Sequence, residues 1–169
     1  MVGNKQKANH ERYLFVPRVL IFLTRGEQIL LLKGAPYKKL WANLYNGVGG
    51  HVEQGEDVLS AAHRELLEET GLKADDLWLC GMITIDTGSI PGIVIFILRG
   101  ENPSGKLIES PEGTLEWIGK SKIIELPLVE DLPSLIPIVL STQQGMPPFF
   151  AHYTYDNDGN LTTNFFHSS

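Results

Sequence analysis

Cysteine is almost missing from this chain: Cys80 is the only one in 169 residues. No intramolecular disulfide can form and no multi-cysteine zinc site can be built, which fits a reducing compartment. Positive charge is also scarce, with 14 Lys and Arg against 20 Asp and Glu and a formal net charge of −6. A duplex-binding protein carries a basic footprint, so no nucleic-acid partner is expected. Small phosphorylated substrates stay open, because a cation held by acidic residues reverses the local sign. Long apolar runs are lacking as well. The segment LFVPRVLIFL has ten residues and is interrupted by Pro17 and Arg18, too short to span a membrane. The opening MVGNKQKANHERY is polar and has no apolar stretch of the kind a signal peptide needs. No membrane partner is expected, and the expected location is cytoplasmic.

Several catalytic patterns are missing too. His10, His51, His63, His152 and His167 are scattered, without the close helical spacing of a zincin pair. Ser60, Ser89 and Ser104 sit in no G-x-S-x-G setting. Gly119, Lys120 and Ser121 spell the end of a phosphate-binding loop, but Thr114 holds the place of its first glycine.

What is present suits one domain with a real core, at 43% hydrophobic and 20% charged residues. Residues 1–11 are expected to form a flexible tail and 12–169 a single domain. YLFVPRVLIFLTR and QILLLKG read as strands joined by a hairpin turn, and APYKKLWANLY as a loop. NGVGGHVE reads as one glycine-punctuated strand. LWLCGMITIDT, GIVIFILRG and TLEWIGK read as further strands, and 130–141 as a helix. FFAHYTYD and LTTNFF flank NDGN, a strong hairpin signal. The fold class expected is α/β (α+β) with a mixed sheet.

The most informative stretch is GHVEQGEDVLSAAHRELLEETGL, residues 50–72. Asp57 suits an N-cap and Gly71 a C′ residue, so a helix is expected between them. Leu59, Ala62 and Leu66 are expected to face the core, and Glu65, Glu68 and Glu69 to share a different face. Like charges at this spacing repel by a few tenths of a kcal/mol per pair. Carboxylates near a helix C-terminus also face the negative end of its dipole. Both terms are unfavourable, so a positive group is expected on that face.

The spacing G-x5-E-x7-R-E-L-x-E-E-x-G-L places Gly50, Glu56, Arg64, Glu65, Leu66, Glu68, Glu69, Gly71 and Leu72. This is a complete Nudix box, and the chain resembles the Nudix hydrolase family, its MutT-type branch in particular. The resemblance implies a mixed sheet sandwiched between helices, with a C-terminal β-hairpin. It implies a metal, Mg²⁺ with Mn²⁺ able to substitute, held by the Gly49 carbonyl, Glu65 and Glu69, with Glu68 direct or through water. Such a hard cation prefers oxygen ligands, and glycines let the backbone come close to it. Arg64 and Glu56 would pair to brace the loop against the helix, with Gly50 and Gly71 structural in the motif. Glu112, five residues before Trp117, would be a further metal or base residue. The general base would be Glu65, Glu69 or Glu112.

The implied reaction is hydrolysis of a nucleoside triphosphate to the monophosphate and pyrophosphate. The substrate expected is an oxidised purine nucleotide such as 8-oxo-dGTP, a small molecule acted on by a monomer. By position, Asn46 would contact the base and Lys33 the phosphates, while Trp41 and Tyr45 could stack on a base. The mammalian MutT-type enzymes, to which the likeness is nearest, read the base through an aromatic and two neighbouring aspartates; alignment puts Leu132, Ser134 and Leu135 there, with Glu130 and Asp131 close by but displaced. The alternatives are a Nudix hydrolase of ADP-ribose or a pyrimidine triphosphate, and a non-catalytic nucleotide sensor on the same scaffold.

Overall fold

β1 (Phe15–Arg25) and β2 (Gln28–Gly34) each carry an unbroken apolar run, 19–23 and 29–32, as suits strands covered on both faces. They pair antiparallel through Thr24–Ile29 and Arg25–Gln28, across a turn in which Gly26 takes φ +51°. The computed structural model describes residues 11–166, so residues 1–10 of the expected tail lie outside the described residues. The remaining elements, in chain order, are β3 (Tyr45–Asn46), β4 (Val48–His51), α1 (Val58–Thr70), β5 (Leu72–Lys73), β6 (Trp78–Ile85), β7 (Gly92–Glu101), β8 (Ser104–Gly105), β9 (Gly113–Gly119), α2 (Leu132–Ser141), β10 (Phe149–Tyr155) and β11 (Leu161–Phe166). A 3₁₀ turn at Lys120–Glu125 follows β9.

The main sheet runs β11-β10-β6-β7-β1-β2-β3, with β4 also on β1 and β9 also on β2. It is mixed: β1–β7 and β6–β10 are parallel and the other ladders antiparallel. One face packs Phe22, Ile29, Leu31, Ile83 and Ile97 against Leu132, Leu135, Ile136 and Val139 of α2. The other packs Val19, Ile21, Leu23 and Leu30 against Ala61, Ala62 and Leu66 of α1. The period-2 alternation of β1 divides its side chains between these two cores. The helix-sheet-helix sandwich and the closing hairpin are as expected.

Three readings change. NGVGGHVE is two strands: Asn46 pairs with Leu32 of β2, while Val48–His51 pair with β1. The switch falls at Gly47, where a Cβ would come within 3.0–3.1 Å of Leu20, Phe22 and the Ile21 carbonyl. Glycine suits so close a crossing, since any side chain there would make the neighbours give way. Second, β8, in the loop after β7, forms a small ladder with β5, just beyond the end of α1, through Leu72–Gly105 and Lys73–Ser104. Third, Leu59 is 44% exposed, and the buried residues of α1 are Ala61, Ala62, Leu66 and Thr70. At about 100° per residue Leu59 falls between the buried Leu66 and Thr70, so its exposure goes with its place in the first turn of the helix and not with its angle.

α2 has no basic residue in its last turn. Arg99 of β7, itself buried, takes that role by donating to the carbonyls of Leu140 at 2.8 Å and of Val139 and Thr142 at 3.3 Å. Arg99→Ala is expected to lower stability by about 2 kcal/mol in chemical denaturation, because these helix-end carbonyls lose their charged donor.

Candidate active site

α1 begins where Asp57 accepts from the amides of Leu59 and Ser60, at 2.8 and 2.9 Å, and ends at Gly71 with φ +73°. Both caps are as the sequence predicts. The acidic face is not. Glu65 and Glu69 project from within the buried arc of the helix, between the angular positions of Ala61 and Ala62. The Glu65 side chain is 13% exposed, against 60% for Glu68. An amphipathic helix that shows Leu59 and Leu67 to solvent while half-burying two carboxylates breaks a local rule, which marks functional sites.

The β4 strand lies directly over these carboxylates. A Cβ on Gly50 would stand 2.3–2.6 Å from the Glu65 carboxylate, so the glycine is what gives that group its room. Arg64 donates to Glu56 through Nε at 3.1 Å and Nη2 at 2.5 Å, to Glu65 at 2.8 Å, to Glu68 at 3.3 Å and to the His51 carbonyl at 3.0 Å. Glu56 also accepts from the Glu53 amide at 2.7 Å. These bonds, the Arg64 hydrogen bond foremost, hold Glu56 below the usual carboxylate range. The expected brace between loop and helix is therefore in place.

Glu69 is the exceptional group. Burial first, and then the charge of Glu65, push its pKa up to about 7, with the Gly49 amide opposing and Glu112 adding to the rise. Its Oε2 is buried without a hydrogen-bond partner. Glu112 arrives from the turn before β9. The Ala35 amide donates to its carbonyl, the Tyr37 hydroxyl donates to the Pro111 carbonyl at 2.6 Å, and Lys38 forms an ion pair with its carboxylate. Among the described residues no three acidic or histidine side chains already form a closed cage; Arg64 and Lys38 engage Glu65 and Glu112. An oxygen-only donor set around an orphaned carboxylate oxygen nevertheless fits a hard divalent cation.

These carboxylates line a cleft of about 740 Å³ that also takes in Gly49, Trp41, Asn46, Glu130, Asp131 and Tyr153. The structure corrects the positional alignment over residues 130–135. Leu132 and Leu135 are fully buried in the α2 core, whereas Glu130 and Asp131, just before the helix, line the cleft. Asp131 is half-buried, and burial raises its pKa. It faces the Tyr153 hydroxyl, and each influences the other electrostatically without a well-aligned hydrogen bond.

Lys33 and Tyr45 do not line the cleft. They are register partners on the reverse of β2 and β3, where Leu32 and Asn46 face the cleft. Tyr45 is buried in the core with its hydroxyl 3.2 Å from Glu116, and the Lys33 ammonium stands 5.7 Å from the Tyr45 ring centroid. A one-residue step along a strand reverses the face, and spacing within a glycine-rich segment does not reveal it. Glu68 also lies outside the lining residues. Lys38, Arg18 and Tyr153 were not singled out from sequence. The inward alternation of Phe149, Ala151 and Tyr153 was a signal for Tyr153, but Lys38 meets Glu112 across 74 residues, with no local signal.

Residues 14–134 match the NUDIX domain family. The chain is 33% identical over 111 residues to the oxidized purine nucleoside triphosphate hydrolase of Danio rerio, covering 65% of this chain and 71% of that protein. It is 27% identical over 143 residues to the Mus musculus protein of the same name, covering 84% and 88%. The crystal structure of a MutT protein from Bacillus halodurans superposes with a TM-score of 0.75 at 23% identity, covering 89% of this chain and 97% of that one. A complete box, carboxylates gathered on one cleft, and a family match over most of the chain agree: this protein belongs to the Nudix family of hydrolases, which cleave phosphoric anhydrides in small nucleotide substrates.

Proposed function

We propose that this Nudix hydrolase is a Mg²⁺-dependent pyrophosphohydrolase that converts an oxidised purine nucleoside triphosphate, such as 8-oxo-dGTP, to the monophosphate and pyrophosphate. It works as a monomeric cytoplasmic domain over residues 12–169. The reading rests on one observation above the others: the Glu65–Glu69–Glu112 group shares its cleft with Asn46 and a half-buried Asp131. Burial raises the Asp131 pKa and so favours its neutral form, and a neutral carboxyl offers a donor and an acceptor side by side. That matches the adjacent carbonyl and N–H of an oxopurine edge. Trp41, 45% exposed at the cleft, is placed to stack on the base.

The Gly49 carbonyl, Glu65, Glu69 and Glu112 would hold the metal, with Glu68 acting through water from its exposed position. Bound Mg²⁺, or Mn²⁺ in its place, supplies neutralisation of phosphate charge and a lowered pKa for the attacking water. Arg64 keeps Glu65 and the Glu53–Glu56 loop aligned while Glu65, Glu69 or Glu112 accepts the proton of that water. The P–O bond to the departing pyrophosphate breaks in line with the attack.

Product-resolved hydrolysis of 8-oxo-dGTP, dGTP, the other dNTPs and ADP-ribose, with and without Mg²⁺, tests the reading. We expect 8-oxo-dGTP to lead by tenfold or more in kcat/KM, about 1.4 kcal/mol of transition-state preference. Asp131→Ala should remove most of that preference, with a smaller loss in Asp131→Asn, which keeps a donor and an acceptor. Even cleavage across the panel, or a lead for ADP-ribose, would assign the enzyme another nucleotide substrate.

A further inference from the structure

Arg18 stands where an apolar residue belongs. On the sheet row that crosses β4, β1, β7, β6 and β10 its register neighbours are His51, Ile95, Ile83 and Ala151. Its side chain lines the cleft beside Ile95, and its Nε is buried without a hydrogen-bond partner. Lys38, the other Lys or Arg on the cleft wall, is taken by Glu112. Arg64 is taken by Glu56, Glu65 and Glu68. Among the described residues Arg18 has no such partner, although six carboxylates (Glu53, Glu65, Glu69, Glu112, Glu130 and Asp131) line the same cleft. Guanidinium has five donors and stays charged, so leaving it unpaired at a half-buried site is costly unless a ligand pairs it.

Its placement is rigid and close to the chemistry. The next residue, Val19, pairs with Gly50, the glycine that packs on the Glu65 carboxylate. A central strand holds a side chain more firmly than a loop does. We propose that Arg18 is the phosphate anchor of the cleft, its guanidinium pairing with phosphate oxygens of the bound nucleotide. The inference rests on reading this cleft as the site of nucleotide hydrolysis. A planar fork suits a phosphate, where two oxygens can be bound at once.

Wild type, Arg18→Met and Arg18→Lys would be compared for kcat and KM on a nucleotide the enzyme cleaves. Product-inhibition constants for inorganic pyrophosphate and dGMP would be measured alongside, with unfolding midpoints. Arg18→Met is expected to raise KM and at least one inhibition constant by about tenfold or more, with a smaller change in kcat. A rise for pyrophosphate places the guanidinium on the departing phosphates, and a rise for dGMP places it on the phosphate that stays with the nucleoside. Arg18→Lys should fall between the two proteins. The Arg18→Met midpoint should not drop, since no internal partner is lost. Unchanged KM and unchanged inhibition constants in Arg18→Met would overturn the proposal. Even cleavage of the nucleotide panel would leave it standing, because that result bears on the base and not on the phosphates.

Discussion

A Glu69→Gln protein is expected to lose about three orders of magnitude in kcat/KM, within the range for removing a proton-transferring or charge-stabilising carboxylate. It should nonetheless fold at least as well as the parent. Burial and the Glu65 charge raise the Glu69 pKa to about 7 in the folded chain, well above its unfolded value. A raised carboxylate pKa means that the folded state holds the proton more tightly. The stability this contributes is full below the unfolded pKa and is lost as pH rises through about 7. In EDTA the parent should therefore be less stable at pH 8 than at pH 5. The drop attributable to this group is about 2 kcal/mol after discounting for its partial exposure. Glutamine has no proton to lose, so in thermal unfolding the variant should lack that part of the drop. Near-parental hydrolysis by Glu69→Gln would remove Glu69 from the mechanism.

Gly50→Ala is expected to reduce kcat/KM about a hundredfold although every carboxylate is kept, the cost of misplacing a reacting group by about an ångström. The added methyl would fall 2.3–2.6 Å from the Glu65 carboxylate, so one of the two must move. What it meets is the far end of a side chain, so Glu65 yields and the backbone of β4 does not. Glu65 would then leave both its position and its 2.8 Å bond to Arg64. Stability should change by less than about 1 kcal/mol in a denaturant titration, as expected where a flexible side chain absorbs the clash. Normal turnover in a stable Gly50→Ala protein would show that Glu65 need not sit where β4 holds it. Collapse of the fold would show that the glycine serves packing first.

The features legible in the sequence were those whose cause lies within a few residues. The β1–β2 hairpin follows from two apolar runs and a short turn, and α1 from Asp57, Gly71 and the spacing between them. The Glu56–Arg64 brace spans eight residues, close enough for the motif itself to set it. The 130–135 segment shows where such reasoning ends. Matching positions one for one placed Leu132, Ser134 and Leu135 at the base-reading sites. The helix instead starts at Leu132 and turns both leucines into the core, leaving the preceding acidic pair on the cleft.

By itself, then, the sequence determined the family, the caps and spacing of the acidic helix, and the hydrolytic chemistry those carboxylates support. Tertiary structure alone decided which faces meet. It turned Lys33 and Tyr45 away from Asn46, brought Lys38 to Glu112 and Tyr153 to Asp131, and set Arg18 among isoleucines on the cleft floor. The physical reason is that strand pairing joins residues distant in sequence, and one step of register reverses every side chain on a strand.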